Sequence, residues 1–215
     1  SLSLSLSLSL SLSLSLSKNR PPCTWSKHIA TLSKNIAKKL YQLRKIKNFL
    51  NVHARKQFFH SYIQSNIDYA STLWDSASKN ILKPLVNNHK RAIKLTINKS
   101  CSLTDSDYKQ ADILPFTAKL LYNKGLFIHK ILHGNAPSSL TNMFTFNEYR
   151  HSHKLNLPFT TITLCKSSLA YSGGWLWNHI PEHLKIESNF KRFRTGLYNH
   201  LKNRSILTPL YPNMY

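Results

Sequence analysis

The sequence predicts a mainly α fold: a helical bundle with a small β hairpin element toward the C-terminus and a low-complexity N-terminus that is disordered or strand-like. Three observations predict it. Between residues 25 and 133 apolar side chains recur at intervals of three and four, which places them on one face of successive helices. Ser, Thr, Asp, Gly and Pro fall where those stretches begin and end. The run LNLPFTTITLC, residues 155–165, is by contrast β-branched and helix-poor.

Taken in order, Ile29, Leu32, Ile36, Leu40, Leu43 and Leu50 mark a first helix over residues 25–50. Lys27, Lys34, Lys38, Arg44 and Lys45 occupy its remaining surface. A short turn at Asn51 and Val52 leads to a second stripe, Phe59, Ile63, Ile67, Ala70 and Trp74, expected to pack on the first as an antiparallel hairpin. A third helix over residues 79–98 turns Leu82, Leu85, Val86, His89, Ala92, Ile93 and Ile97 inward and Lys83, Lys90, Arg91 and Lys94 outward. Pro84 is expected in its first turn, where a missing amide hydrogen is tolerated. Residues 104–107 read as a helix start, with Asp105 and Asp107 as capping residues. Another helix over residues 116–133 ends at Gly134, with Pro137 beyond. Gly173 and Gly174 read as a turn into WLWNHIP. A last amphipathic helix over residues 189–202 sets Phe190, Phe193, Leu197 and Leu201 against Lys191, Arg192, Arg194 and Lys202.

Residues 1–17 alternate Ser and Leu strictly, which would put every Leu on one face of a strand. They lack the basic flank and unbroken apolar stretch of a signal peptide. A T–C dinucleotide repeat read in frame encodes this alternation, so the tract reads as a translated simple repeat. The chain thus divides into the repeat at 1–17, a helical region at 18–145 and a mixed region with a terminal helix at 146–215.

Lys and Arg number 30 against 8 Asp and Glu, a formal charge of +22. Such a chain repels itself and calls for an acidic partner: nucleic acid first, whose neutralised phosphates release counterions, and an anionic membrane surface second. No run approaches the roughly 20 apolar residues of a membrane span. The three cysteines, Cys23, Cys101 and Cys165, are odd in number and widely spaced, which fits an intracellular, reducing setting, nuclear or cytoplasmic.

Chemistry finds little to work with. Two-metal catalysis needs carboxylates that hold cations about 3.5–4 Å apart, and the acids are Asp68, Asp75, Asp105, Asp107, Asp112, Glu148, Glu182 and Glu187. Asp68 and Asp75 are expected to form ion pairs. His129 and His133 have a zinc-ligand spacing, but KIL between them lacks the Glu of a zinc hydrolase. His151, His153 and Cys165 form a weaker set, and no nucleophile has a recognisable base. No catalytic residue, metal or cofactor is expected. Backbone binding has better material in three basic groups: Lys34, Lys38 and Lys45; Lys90, Arg91 and Lys94; and Lys191, Arg192 and Arg194. Trp25, Trp74, Trp175 and Trp177 are expected as buried anchors more than as stacking platforms.

Several segments together carry a family likeness: TWSKHI (24–29), KNIAKKLYQLRKIKNFL (34–50), YIQSNIDYASTLW (62–74), NNHKRAIKLTIN (87–98), ILPF (113–116), NKGLFIHKILHGNAP (123–137), LWNHIPEHLK (176–185) and NFKRFRTGLYNHL (189–201). In order and spacing this resembles the region downstream of the palm in reverse transcriptases of non-LTR retrotransposons, the jockey-like and related LINE elements. The resemblance covers residues 24–204. It implies a helical thumb and connection that grip RNA or DNA by the backbone, without sequence specificity and without a small-molecule substrate. The Tyr-x-Asp-Asp turn of the palm and the endonuclease domain are not in this sequence, so the chain is expected to be a fragment and no enzyme. Two other readings remain: a non-functional transposon relic, and a basic helical module for a protein partner or an anionic membrane surface.

Overall fold

The computed structural model describes residues 25–147, 153–161 and 163–203. The Ser-Leu tract, Cys23, Glu148 and His151 lie outside the described residues. What is described is mainly helical: α1 (Ser26–Ile46), α2 (Val52–Phe58), a π-helical turn (Phe59–Gln64), α3 (Ser65–Asp68), α4 (Ser71–Trp74), α5 (Lys79–Ile97), α6 (Asp105–Ala111), α7 (Phe116–Leu132), α8 (Ser138–Thr141), α9 (Thr163–Lys166), α10 (Leu169–His179), α11 (Glu182–Lys185) and α12 (Phe190–Asn203). No described helix is long and apolar enough to cross a membrane.

The expected inner face of α1 is buried throughout, from Ile29 to Leu43. Asn51 then caps α2, its side-chain oxygen accepting from the Ala54 amide at 2.8 Å. The chain returns antiparallel along α1, so that Ser65, Asn66 and Tyr69 stand beside Thr31 and Asn35. This second segment is broken where one helix was expected. The π turn widens the backbone within it and keeps Phe59, Ile63 and Ile67 all fully buried. Ala70, with φ 51°, breaks the segment again before α4.

Pro84 stands sixth in α5, beyond the first turn where it was expected, and so denies Asn80 a backbone donor. Both residues are exposed, so the Asn80 carbonyl is not shut away from solvent. At α6 the Asp107 carboxylate accepts from the Thr104 amide at 2.6 Å and from Lys99 at 2.5 Å. These bonds, led by the one from Lys99, hold its pKa down at about 2. Gly134, at φ 72°, ends the turn after α7 as expected.

Gly173 and Gly174 do not turn the chain; α10 runs straight through them. A Cβ on Gly173 would meet Ile128 at 3.1 Å, and one on Gly174 would meet Leu157 at 2.9 Å. Their role is close approach. The expected β hairpin shrinks to one antiparallel bridge, Phe146 with Leu155, and the described residues contain no strand. Asn178 closes the edge of Leu155 that faces away from Phe146. Its side chain accepts from the Leu155 amide at 2.8 Å and donates to the Leu155 carbonyl at 2.9 Å, taking both groups a further ladder would use.

Two cores result. The first gathers α1, the π turn, α5 and α6 around Trp74, Phe59 and Ile36; the second gathers α10, α11 and α12 around Trp177, Phe193 and Ile128. Helix α7 belongs to both, giving Phe116 and Leu120 to the first and Leu121, Ile128 and Ile131 to the second. Where they meet, Lys124 on α7 is buried with Asp75 at 2.7 Å and donates to Ser172 of α10 at 3.0 Å. Burial pushes the Asp75 carboxyl up, and the Lys124 ammonium opposes that.

Candidate nucleic-acid interface

Neither α1 nor α5 contains a single Asp or Glu. The two helices run side by side in the same direction. Midway along α5 Asn88 donates to the Ser33 carbonyl and hydroxyl at 3.2 and 2.9 Å; just past the C-terminal ends Lys47 donates to Asn98 at 3.1 Å.

A helix advances about 100° per residue. On α1, Lys27, Lys34, Lys38 and Lys45 therefore share a strip about 40° wide, opposite the buried Ile29, Ile36 and Leu43. On α5, Lys79, Lys83, Lys90 and Lys94 share one about 60° wide. The Ser33–Asn88 contact fixes which sides of the helices meet, and their apolar faces lie on the same side of that seam. Both lysine strips consequently lie on one outer surface. Arg91, about 100° round from Lys90 toward α1, sits over the seam. Lys34, Lys38, Lys45, Lys90 and Arg91 are exposed and Lys94 is half-buried. The α1 strip is about 27 Å long at 1.5 Å per residue.

The third basic group does not form a common face. Arg192 and Arg194 point about 160° apart around α12, and the Arg194 guanidinium donates to the Tyr122 hydroxyl at 3.2 Å. Lys191 and Arg192 are exposed on a helix of the second core, on a different part of the molecule.

Five of the described carboxylates pair with lysines outside α1 and α5. Lys119 pairs with Asp68 at 3.2 Å, Lys185 with Glu182 at 3.3 Å, and Lys202 with Asp112, alongside the Lys124–Asp75 and Lys99–Asp107 pairs. Asp68 and Asp75 thus form the ion pairs expected of them. Among the described residues no ion pair involves a cation of α1 or α5.

The His129–His133 pair is part of the fold, while His153 and Cys165 are exposed. His129 donates through Nε2 to the Glu187 carbonyl at 2.9 Å and stacks on His133 and Phe193, with ring centroids 3.9 and 4.1 Å away. Burial lowers its pKa. No group of three metal-ligating side chains occurs among the described residues. His89, fully buried between Phe59 and Phe116, donates to Gln64 at 3.2 Å; Gln64 in turn donates to Asp68 at 2.8 Å. Burial drives His89 down to about 3, so it is neutral. Trp74 and Trp177 are buried anchors, while Trp25 and Trp175 are half-buried.

Sequence reasoning named six of the outer-face cations as site residues and left out Lys27, Lys79 and Lys83. Their spacings, seven-four-seven on α1 and four-seven-four on α5, were a usable signal. No protein-family model, no curated protein and no solved structure matches this chain.

Proposed function

We propose that the protein grips the phosphate backbone of RNA or DNA through the outer face of α1 and α5. It does so as the non-catalytic fragment of a non-LTR retrotransposon polymerase. The observation that carries this reading is the pair of lysine strips on one surface, formed by two helices without a carboxylate between them. Cations so placed neutralise phosphates without reading bases, so binding is indifferent to sequence and steeply salt-dependent. The chain performs no chemistry itself and uses no cofactor.

Fluorescence anisotropy with labelled RNA and DNA of unrelated sequences tests it. Affinity is expected to fall at least tenfold between about 50 and 200 mM salt and to depend little on sequence. Affinity that holds as salt rises, or a strong preference for one sequence, counts against it.

A second reading has one observation in its favour. At the end of α1, Phe49 is 88% exposed and Ile46 and Val52 are exposed beside it, next to Lys45 and Lys47. A basic rim around an apolar tip suits an anionic membrane surface. Co-sedimentation with phosphatidylserine vesicles that survives excess nucleic acid would favour that reading.

A further inference from the structure

Between α1 and the end of the second segment lies an open groove of about 430 Å³, floored by Leu32. It sits a quarter turn around α1 from the lysine strip. Its lining holds no Lys, Arg, Asp or Glu and is able to hydrogen-bond. Thr31 and Ser65 donate their hydroxyls to the carbonyls of Lys27 and Ser61, and Asn66 donates to Tyr62. Each keeps an acceptor toward the groove. Asn35 makes no hydrogen bond among the described residues, and its amide offers both donor and acceptor. Among the described residues the ring nitrogens of His28 likewise make no hydrogen bond, and its ring lies edge-to-face with Trp25.

Tyr69 forms the outer wall and is 76% exposed, yet its backbone is clamped. Its amide donates to the Ser65 carbonyl at 3.1 Å, and its own carbonyl accepts from the indole of the fully buried Trp74 at 3.1 Å. The left-handed Ala70 follows directly. An aromatic ring is thus presented to solvent from an ordered backbone, the arrangement by which single-strand binders stack a base at small entropic cost.

We propose that this groove receives an unstacked nucleobase, its ring on Tyr69 and its edge toward Asn35 and His28, while the strand's phosphates run along Lys27, Lys34 and Lys38. The assignment rests on the backbone-binding reading and adds a preference for single strands. A lining without Lys or Arg suits a base better than a phosphate, and the lysine strip suits the phosphates; one nucleotide satisfies both. The bases of an intact duplex are stacked and paired and do not enter.

The test uses the full chain, a single-stranded oligonucleotide carrying 2-aminopurine, and the duplex of the same sequence. Wild type is expected to bind the single strand more tightly and to quench the 2-aminopurine. Tyr69→Ala is expected to weaken single-strand binding about tenfold, as the loss of one base–aromatic stack predicts, and to abolish the quench. Duplex affinity is expected to stay within twofold, and Tyr69→Phe to behave as wild type. Equal losses for both nucleic acids, or no loss for either with the quench retained, overturn the groove assignment and leave backbone binding standing. Failure of the wild type to bind either nucleic acid overturns both.

Discussion

Among the described residues no lysine of α1 or α5 forms an ion pair, whereas around the second core several cations are built into the fold and only part of the basic group at α12, Lys191 and Arg192, is left exposed. There Lys185 is buried, donating to the Asn178 carbonyl and pairing with Glu182; Lys202 pairs with Asp112; Arg194 bonds to Tyr122; and Lys130 lies over the Phe190 ring. A count of basic residues makes the two regions look alike. The difference lies in what each charge already faces, and only charges left facing water hold condensable potential for a polyanion.

The largest effect is expected where the two regions join. Asp75→Asn leaves the Lys124 ammonium buried without its counter-charge, and urea denaturation should show a loss of about 3–5 kcal/mol. A loss under about 1 kcal/mol would mean that the regions are held together by apolar packing alone. Next comes acid sensitivity of the first core. His89 titrates near its ordinary value when unfolded and at about 3 when folded. Its contribution is complete above about pH 6.5 and is lost as pH falls toward 3, with a ceiling on the order of 5 kcal/mol. His60 and His129, also lowered by burial, add to this trend, whereas Asp75, raised by burial, opposes it in the carboxylate range. Denaturation midpoints from pH 7 to 4 should therefore fall, and less so in His89→Gln if the variant folds.

The contrast in charge use predicts a third, smaller effect. Lys34→Ala, Lys38→Ala and Lys45→Ala together should flatten the salt dependence of duplex DNA binding by about two to three units of slope. The same treatment of Lys191, Arg192 and Arg194 should change it by less than about one unit. Equal slopes for the two triple variants would erase the distinction. Smallest is Gly134→Ala. Its methyl would meet no atom within 4 Å, but the φ of 72° penalises any side chain, so thermal unfolding should show a loss of about 1 kcal/mol.

The apolar faces were readable because helix periodicity alone determines them: Ile29, Leu32, Ile36, Leu40 and Leu43 are all buried, as are Leu82, Leu85, His89, Ala92 and Ile93. The features that escaped depend on neighbours distant in sequence. Gly173 reads as a turn until Ile128 is found where its Cβ would go. The run around Leu155 reads as a strand, but only one bridge forms, and the free edge of Leu155 is held by the side chain of the distant Asn178. Nothing in the sequence sets Lys124 apart from the other lysines, yet Asp75 and Ser172 close over it. At the candidate site the strips were partly visible as spacing. The groove was not, because Asn35 and Tyr69 are brought together only when the second segment folds back along α1.

Helix α7 supplies a wall to each core, and its consequence concerns how the molecule comes apart. Neither half can shed its neighbour without uncovering apolar surface on the shared helix, Phe116 and Leu120 toward one side and Ile128 and Ile131 toward the other. Melting should therefore run as a single cooperative event in which amides at the middle of α7 exchange last.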